Sequence, residues 1–170
     1  WIGWNTAGFA LMNTQSYNLE KGDIADDDRG PKNGEVIYRA LEICATVADF
    51  CHFLDTISKP SGIEANFGVI DAEGGAAYYE VNNGSWTKID VNDPKIAPQG
   101  YLIYTNHSYT GRLDDGMGYV RYTTAEKIMK EQIGRNGAIT PKWIFQNLSR
   151  TFYHSILGID LNKDKELVAK

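Results

Sequence analysis

From Glu35 to about Ile57, the apolar residues Val36, Ile37, Ala40, Leu41, Cys44, Val47 and Ala48 fall at spacings of three and four. That spacing places them on one face of a helix, and the face must be laid against another layer. The segment reads as one helix or as two broken near Thr46. The flanking sequence supplies the other layer. Upstream, "GWNTAGFALMNTQSYNL" reads as strand, turn, strand, with the turn at "NTAG" (5–8) and Gly8 free to take positive φ. Downstream, "NFGVIDAEG" (66–74) and "AAYYEVN" (76–82) pattern as a hairpin around Glu73, Gly74 and Gly75. "WTKIDV" alternates as a further strand, and "YLIYTNH" (101–107) is expected to be an interior strand. "YTTAEKIMKEQIGRNG" predicts a helix of about four turns, with Arg121 at its start and Gly137 capping its end. "TPKWIFQNLSRTFYHS" predicts a last helix, with Thr140 as N-cap and Pro141 in first position. Strands, a helical layer, more strands and two helices make an α+β fold of layered sheets and helices.

The chain has 170 residues, a length that suits a single domain spanning residues 1–170 and burying roughly 70% of its unfolded surface. Its formal net charge is -5 with scattered Lys and Arg, which argues against a nucleic-acid partner, because phosphate binding needs clustered cations. No apolar run approaches the roughly 20 residues that span a bilayer. The first residues, "WIGWNTAGFALMN", look like the middle of a domain, and "GIDLNKDKELVAK" stops without a clear final element. The expectation is a fragment of a longer domain, incomplete at one or both ends. Oligomeric state, including a homo-oligomer, is left open.

Most catalytic patterns fail. There is no G-x-S-x-G elbow, P-loop or H-E-x-x-H. His52, His107 and His154 are not spaced as a metal set. Cys51 and His52 are adjacent and on a helix point in different directions, so they do not form a nucleophile–base pair. On a continuous helix Cys44 and Cys51 lie roughly 10.5 Å apart, too far for a disulfide, and they read as buried small hydrophobes. With no bridge to argue from, the compartment stays open. Asp26, Asp27 and Asp28 sit in a polar loop (20–34) with no calcium-loop spacing, and "DLNKDKE" (160–166) has Lys165 where a calcium loop needs glycine. No metal or cofactor is expected.

What is left is a pair of asparagines. Asn13 ends "FALMN" and Asn106 ends "YLIYTN". An asparagine there can cap a turn, or it can offer the amide donor that an oxyanion hole requires. The alternation of a strand predicts that His107 faces away from Asn106 and is not a general base.

Together the segments resemble a known family. "GWNTAGFAL", the helix pair "PKNGEVIYRALEICATVADFCHFL", the hairpin "NFGVIDAEGGAAYYEV", "YTNHS", "RYTTAEKIM" and "GAITPKWIFQNL" occur in the order seen in the acyl-coenzyme A:6-aminopenicillanic acid acyltransferase-like N-terminal-nucleophile hydrolases, cousins of the choloylglycine hydrolases. The resemblance implies a four-layer αββα sandwich. It also implies an N-terminal cysteine whose thiolate attacks an amide or thioester carbonyl while its own α-amine handles the proton. On this resemblance Asn106 holds the oxyanion and the nucleophile's amine, Asn13 matches a second oxyanion residue, and Arg121 stands near the nucleophile and favours the thiolate. Tyr104 and Tyr109 line an apolar acyl pocket or simply pack in the core.

No cysteine stands in the matching context, so the nucleophile is expected upstream of Trp1. The intact protein is read as an amidase or acyltransferase acting on a small-molecule amide or acyl substrate. The alternatives are a bile-salt amidase and, in a different class, a non-catalytic small-molecule binder that keeps the pocket.

Overall fold

The computed structural model describes residues 1–16, 19, 31–109, 117–151, 153–154 and 157–160. They fall into two compact units. The first is built from Trp1–Leu102 and the segment beginning at Asn106; the second takes Ile103–Thr105 and the chain from Met117 onward.

The first unit carries β1 (Ile2–Trp4), β2 (Ala10–Gln15), α1 (Asn33–Ile43), α2 (Val47–Thr56), β3 (Ala65–Ile70), β4 (Ala76–Val81) and β5 (Trp86–Asp90). The five strands form one sheet in sequence order, antiparallel throughout. Leu11, Phe67, Val69, Ala77, Tyr79 and Val81 point to one face and pack with Val36, Ile37, Ala40, Phe50 and Leu54 of the two helices. Phe50 is the centre of this layer. Its ring meets Tyr79 edge-on at 4.9 Å and lies 5.9 Å from Phe67 and 6.1 Å from Phe9, within the range of favourable aromatic pairs.

The helical stripe is two helices, broken at Cys44–Thr46. Thr46 forms a capping box with Asp49 at the start of α2, so two orphan amides of the new helix are satisfied reciprocally. Two turns clamp the break. Asn5, in the β1–β2 turn, donates its amide to the carbonyls of Leu41 and Cys44 at the end of α1, at 2.9 and 2.8 Å. Its Oδ1 accepts from Ala7 and Phe9. From the β3–β4 turn, Asp71 accepts from the Val47 N–H at the first position of α2 at 2.8 Å, and from Glu73 and Gly75 in its own turn. A side chain on Gly75 would run into the Asp71 carboxylate, and Gly8 (φ +86) brings its backbone against Ala72 so closely that an added Cβ would lie 2.6 Å from the Ala72 Cβ.

The other sheet face changes character along its length. Ile2 and Trp4, 75% and 78% exposed, share it with the exposed Met12 and Ile70. Toward the ends of β2 and β4, Asn66, Tyr78 and Glu80 on that face are buried.

In the second unit α3 (Met117–Gly134) starts earlier than the sequence predicts, so Arg121 lies in its second turn and not at its start. The helix ends in a Schellman arrangement: Gly137 N–H reaches the Gln132 carbonyl and Asn136 N–H that of Ile133. The residue in the left-handed region is Asn136 (φ 53), not Gly137; asparagine tolerates that backbone better than other side chains do. α4 (Pro141–Gln146) has Thr140 as its N-cap and Pro141 at its start, as expected. It is shorter than predicted: the Asn147 amide bonds back to the Trp143 carbonyl and Ser149 to that of Phe145, and the chain tightens into a 3-10 turn at Leu148–Arg150. A short pair, β6 (Tyr153–His154) and β7 (Ile159–Asp160), completes the described residues.

Hydrogen bonds, led by that of the Val47 N–H, hold the Asp71 carboxyl below the ordinary carboxylate value, against the opposing effects of burial and Asp49. A depressed native pKa contributes stability above the unfolded value that is lost as pH falls through the folded one. Asp71→Asn in the full-length protein should therefore lower the urea midpoint at about pH 7, and the gap to wild type should close between about pH 4 and pH 2. A gap that stays constant across that range would show that the charge on Asp71 plays no part in the clamp.

Candidate functional site

Residues 101–109 are not a strand. They pair with no strand among the described residues, and 101–106 are half-buried, not core. The reason lies in the polar end of the segment, which is held by side chains of the sheet in place of a ladder. Asn106 sits on a bend, half-buried, and its amide donates to the Gln15 carbonyl at the end of β2 at 3.1 Å. The His107 carbonyl accepts from Asn66 Nδ2 at 3.1 Å. Ser108 Oγ donates to Asn66 Oδ1 at 3.0 Å and shares a 2.8 Å hydrogen bond with Ser16. The Tyr109 N–H donates to Glu80 Oε1.

Asn66 and Glu80 are ladder partners on β3 and β4, so their side chains leave the same sheet face. They are 0% and 5% exposed. Beside them Thr14 and Tyr78 share a 2.8 Å hydroxyl bond, and burial, first, raises the Tyr78 phenol well above its usual value. His107 is buried, with its ring edge-on to Tyr109.

Asn13 lies on β2, two residues before Gln15, and alternation puts its side chain on the helix face with Leu11. Its Oδ1 accepts from the Trp1 amine at 2.9 Å. Asn13 thus reaches Trp1 from within β2, whereas Asn106 reaches the last residue of β2 from outside the sheet. Tyr109 is partly exposed beside His107. Tyr104 and Arg121 belong to the second unit, Tyr104 half-buried and Arg121 with an exposed side chain.

Both cysteines are reduced. Cys44 ends α1, and burial, with a smaller contribution from Asp49, pushes its thiol up to about 11. Cys51 Sγ lies 3.1 Å from the Tyr79 hydroxyl, which donates to the Val47 carbonyl. Both thiols sit in core packing, on the helix side of the sheet. No group of three potential metal ligands occurs among the described residues. The aspartates 26–28 and most of 160–166 lie outside the described residues. A cavity of about 420 Å³ opens between α1 and the end of α2, lined by Glu35, Val36, Arg39, Phe53 and Thr56 among others. It contains none of the predicted site residues, and Arg39 there is paired with Glu35 at 2.6 Å.

Sequence reasoning passed over Asn66 and Glu80. Their signal was a polar residue on each of two largely apolar strands, at the parity that faces away from the helices.

Fold and site define an α+β protein whose antiparallel sheet is backed by two helices on one face and pins the asparagine-bearing 106–109 segment on the other. The chain belongs to the acyl-coenzyme A:6-aminopenicillanic acid acyl-transferase family, whose model matches residues 3–154. Comparison with curated proteins finds no match. Among the described residues no helix is long and apolar enough to cross a membrane.

The placement of the thiols sets an expectation. In the native full-length protein at about pH 8, iodoacetamide should leave Cys44 unmodified, because little thiolate forms and access is closed, and urea should expose it to labelling. Cys44→Ala with Cys51→Ala should keep kcat while lowering stability by about 1–2 kcal/mol. Rapid native labelling of Cys44, seen by peptide mass spectrometry, would contradict its burial.

Proposed function

We propose that the intact protein is an N-terminal-nucleophile amidase or acyltransferase acting on a small-molecule amide or thioester with an apolar acyl group. The observation that carries the reading is the family match across residues 3–154. Two features support it. Neither thiol in this chain is suited to attack a carbonyl, since Cys44 is buried with a raised pKa and Cys51 is engaged in the core; the proposed nucleophile is a cysteine outside residues 1–170. The exposed apolar residues Ile2, Trp4, Met12 and Ile70 form a sheet face of the kind that the second sheet of a four-layer αββα sandwich would cover.

In this mechanism the thiolate adds to the acyl carbonyl and negative charge gathers on the oxygen. The amide of Asn106, its plane fixed by the Gln15 carbonyl, meets that charge without reorganising. The intermediate collapses to an acyl-enzyme as the amine or thiol leaves, and water or an amine takes the acyl group. Arg121 supplies a fixed positive charge that favours the thiolate. Tyr109 is proposed to line the acyl pocket.

The full-length protein should release amine from N-acyl substrates with apolar acyl groups and carry a transient acyl adduct on cysteine, detectable by intact mass. Binding of such compounds with no turnover and no adduct would replace the enzyme with a non-catalytic binder. Asn106→Ala should lower kcat roughly 10²–10³-fold, as loss of one oxyanion donor does; an unchanged kcat removes Asn106 from the site. Arg121→Met should raise the nucleophile's pKa and move the acid limb of the pH–rate profile to higher pH. An unmoved limb would place the helpful charge elsewhere.

A further inference from the structure

We propose that Asn66 and Glu80 are positioning residues: they hold the 106–109 segment on the sheet face in a single register and so fix the Asn106 amide. The inference rests on the catalytic reading of Asn106.

Backbone polar groups that leave water need partners, and an extended segment usually finds them in a ladder. Among the described residues this segment pairs with no strand. Its polar groups meet side chains instead: the His107 carbonyl meets Asn66, the Ser108 hydroxyl meets Asn66 and Ser16, and the Tyr109 N–H meets Glu80. The difference matters for precision. A ladder repeats every two residues, so a strand can slip along it and find equivalent bonds. Pins of different chemistry do not repeat. Asn66 offers a donor to a carbonyl and an acceptor to a hydroxyl, and Glu80 offers an acceptor to an N–H. The Ser108 hydroxyl sets the register, since a shift of the segment by one or two residues takes it away from Asn66 and Ser16.

The burial of the pair supports a dedicated role. Asn66 is completely buried near the start of β3, and Glu80 is nearly so near the end of β4. Leaving such groups unsatisfied is destabilising, whereas apolar residues of similar shape would face no such requirement. Asn66 and Glu80 stand opposite one another, and the residues they hold are the three that follow Asn106. Asn106 itself bonds to Gln15 on β2, the strand on the other side of β3 from β4. Three neighbouring strands therefore fix one four-residue segment. A displacement of about 1 Å at a catalytic group can lower the rate by about 10²-fold, so this anchoring bears directly on kcat.

The test uses the full-length protein and two readouts. Glu80→Leu and Asn66→Ala should lower kcat roughly 10- to 100-fold with KM little changed, and Glu80→Gln, which keeps an acceptor oxygen for the Tyr109 N–H, should recover most of the loss. Added to Asn106→Ala, Asn66→Ala should lower kcat no further, because it acts through that amide. In hydrogen exchange followed by mass spectrometry, the peptide containing 106–109 should lose protection in both variants while β2 and β3 keep theirs. Ser108→Ala, which removes one hydroxyl, is the milder variant if Asn66→Ala does not fold. Losses that add to that of Asn106→Ala, or unchanged protection at 106–109, would overturn the proposal. An unchanged kcat in Asn106→Ala alone overturns the catalytic reading of Asn106, and the exchange measurement, which needs no activity, still decides whether Asn66 and Glu80 hold the segment.

Discussion

The break between α1 and α2 is where a helix end and a helix start meet, and each brings unsatisfied backbone groups. Asn5 closes the end of α1 by donating to two of its carbonyls, and Asp71 closes the start of α2 by accepting from its first amide. Each side chain also folds its own turn. The two turns are the ends of the two hairpins that make up most of the sheet. One set of hydrogen bonds therefore shapes the hairpins, breaks the helical stripe and docks one layer on the other. The register of the sheet against the helices follows from it, and so does the lateral position of Phe50 among Phe9, Phe67 and Tyr79.

This clamp explains why two of the chain's motifs look as they do. In "GWNTAG" the asparagine is needed for its two-ended amide, and the glycine for a backbone that other residues rarely adopt. In "DAEGG" the aspartate needs three amides converging on it, and Gly75 leaves room for the approach. Both motifs are structural in this chain. They lie at the opposite end of the strands from Asn106.

Much of the fold was legible because its signals are local. The period of the 35–57 stripe, the break at Thr46, the hairpin around Glu73–Gly75 and the cap at Thr140 all depend on residues within a turn of one another. The errors came where a distant partner or a competing side chain intervened. The apolar run 101–104 has the composition of a strand, yet it pairs with no strand among the described residues, and the residues after it meet β2, β3 and β4. The last helix stops early because Asn147 and Ser149 turn back on its carbonyls. Of the proposed site, the sequence singled out Asn106 and Asn13 as the ends of predicted strands, whereas Asn106 follows a segment that is not a strand and Asn13 lies within β2. Asn66 and Glu80 stayed hidden, since no local pattern says that a polar strand residue will meet a segment 29 to 42 residues away. Arg121 shows the reverse failure: its place relative to a helix start was inferred from a boundary that lies earlier.

The contact between Gly8 and Ala72 ties together two positions far apart in the chain. Position 8 is closed to other residues twice over, by its backbone angle and by the methyl group in front of it. Shrinking residue 72 lifts only one of these restrictions, and enlarging it pushes the two turns apart and strains both ends of the clamp. Position 8 therefore stays glycine whatever stands at 72, and position 72 stays small as long as the two turns keep their contact. The contact joins the hairpins, and it narrows the substitutions that either turn tolerates.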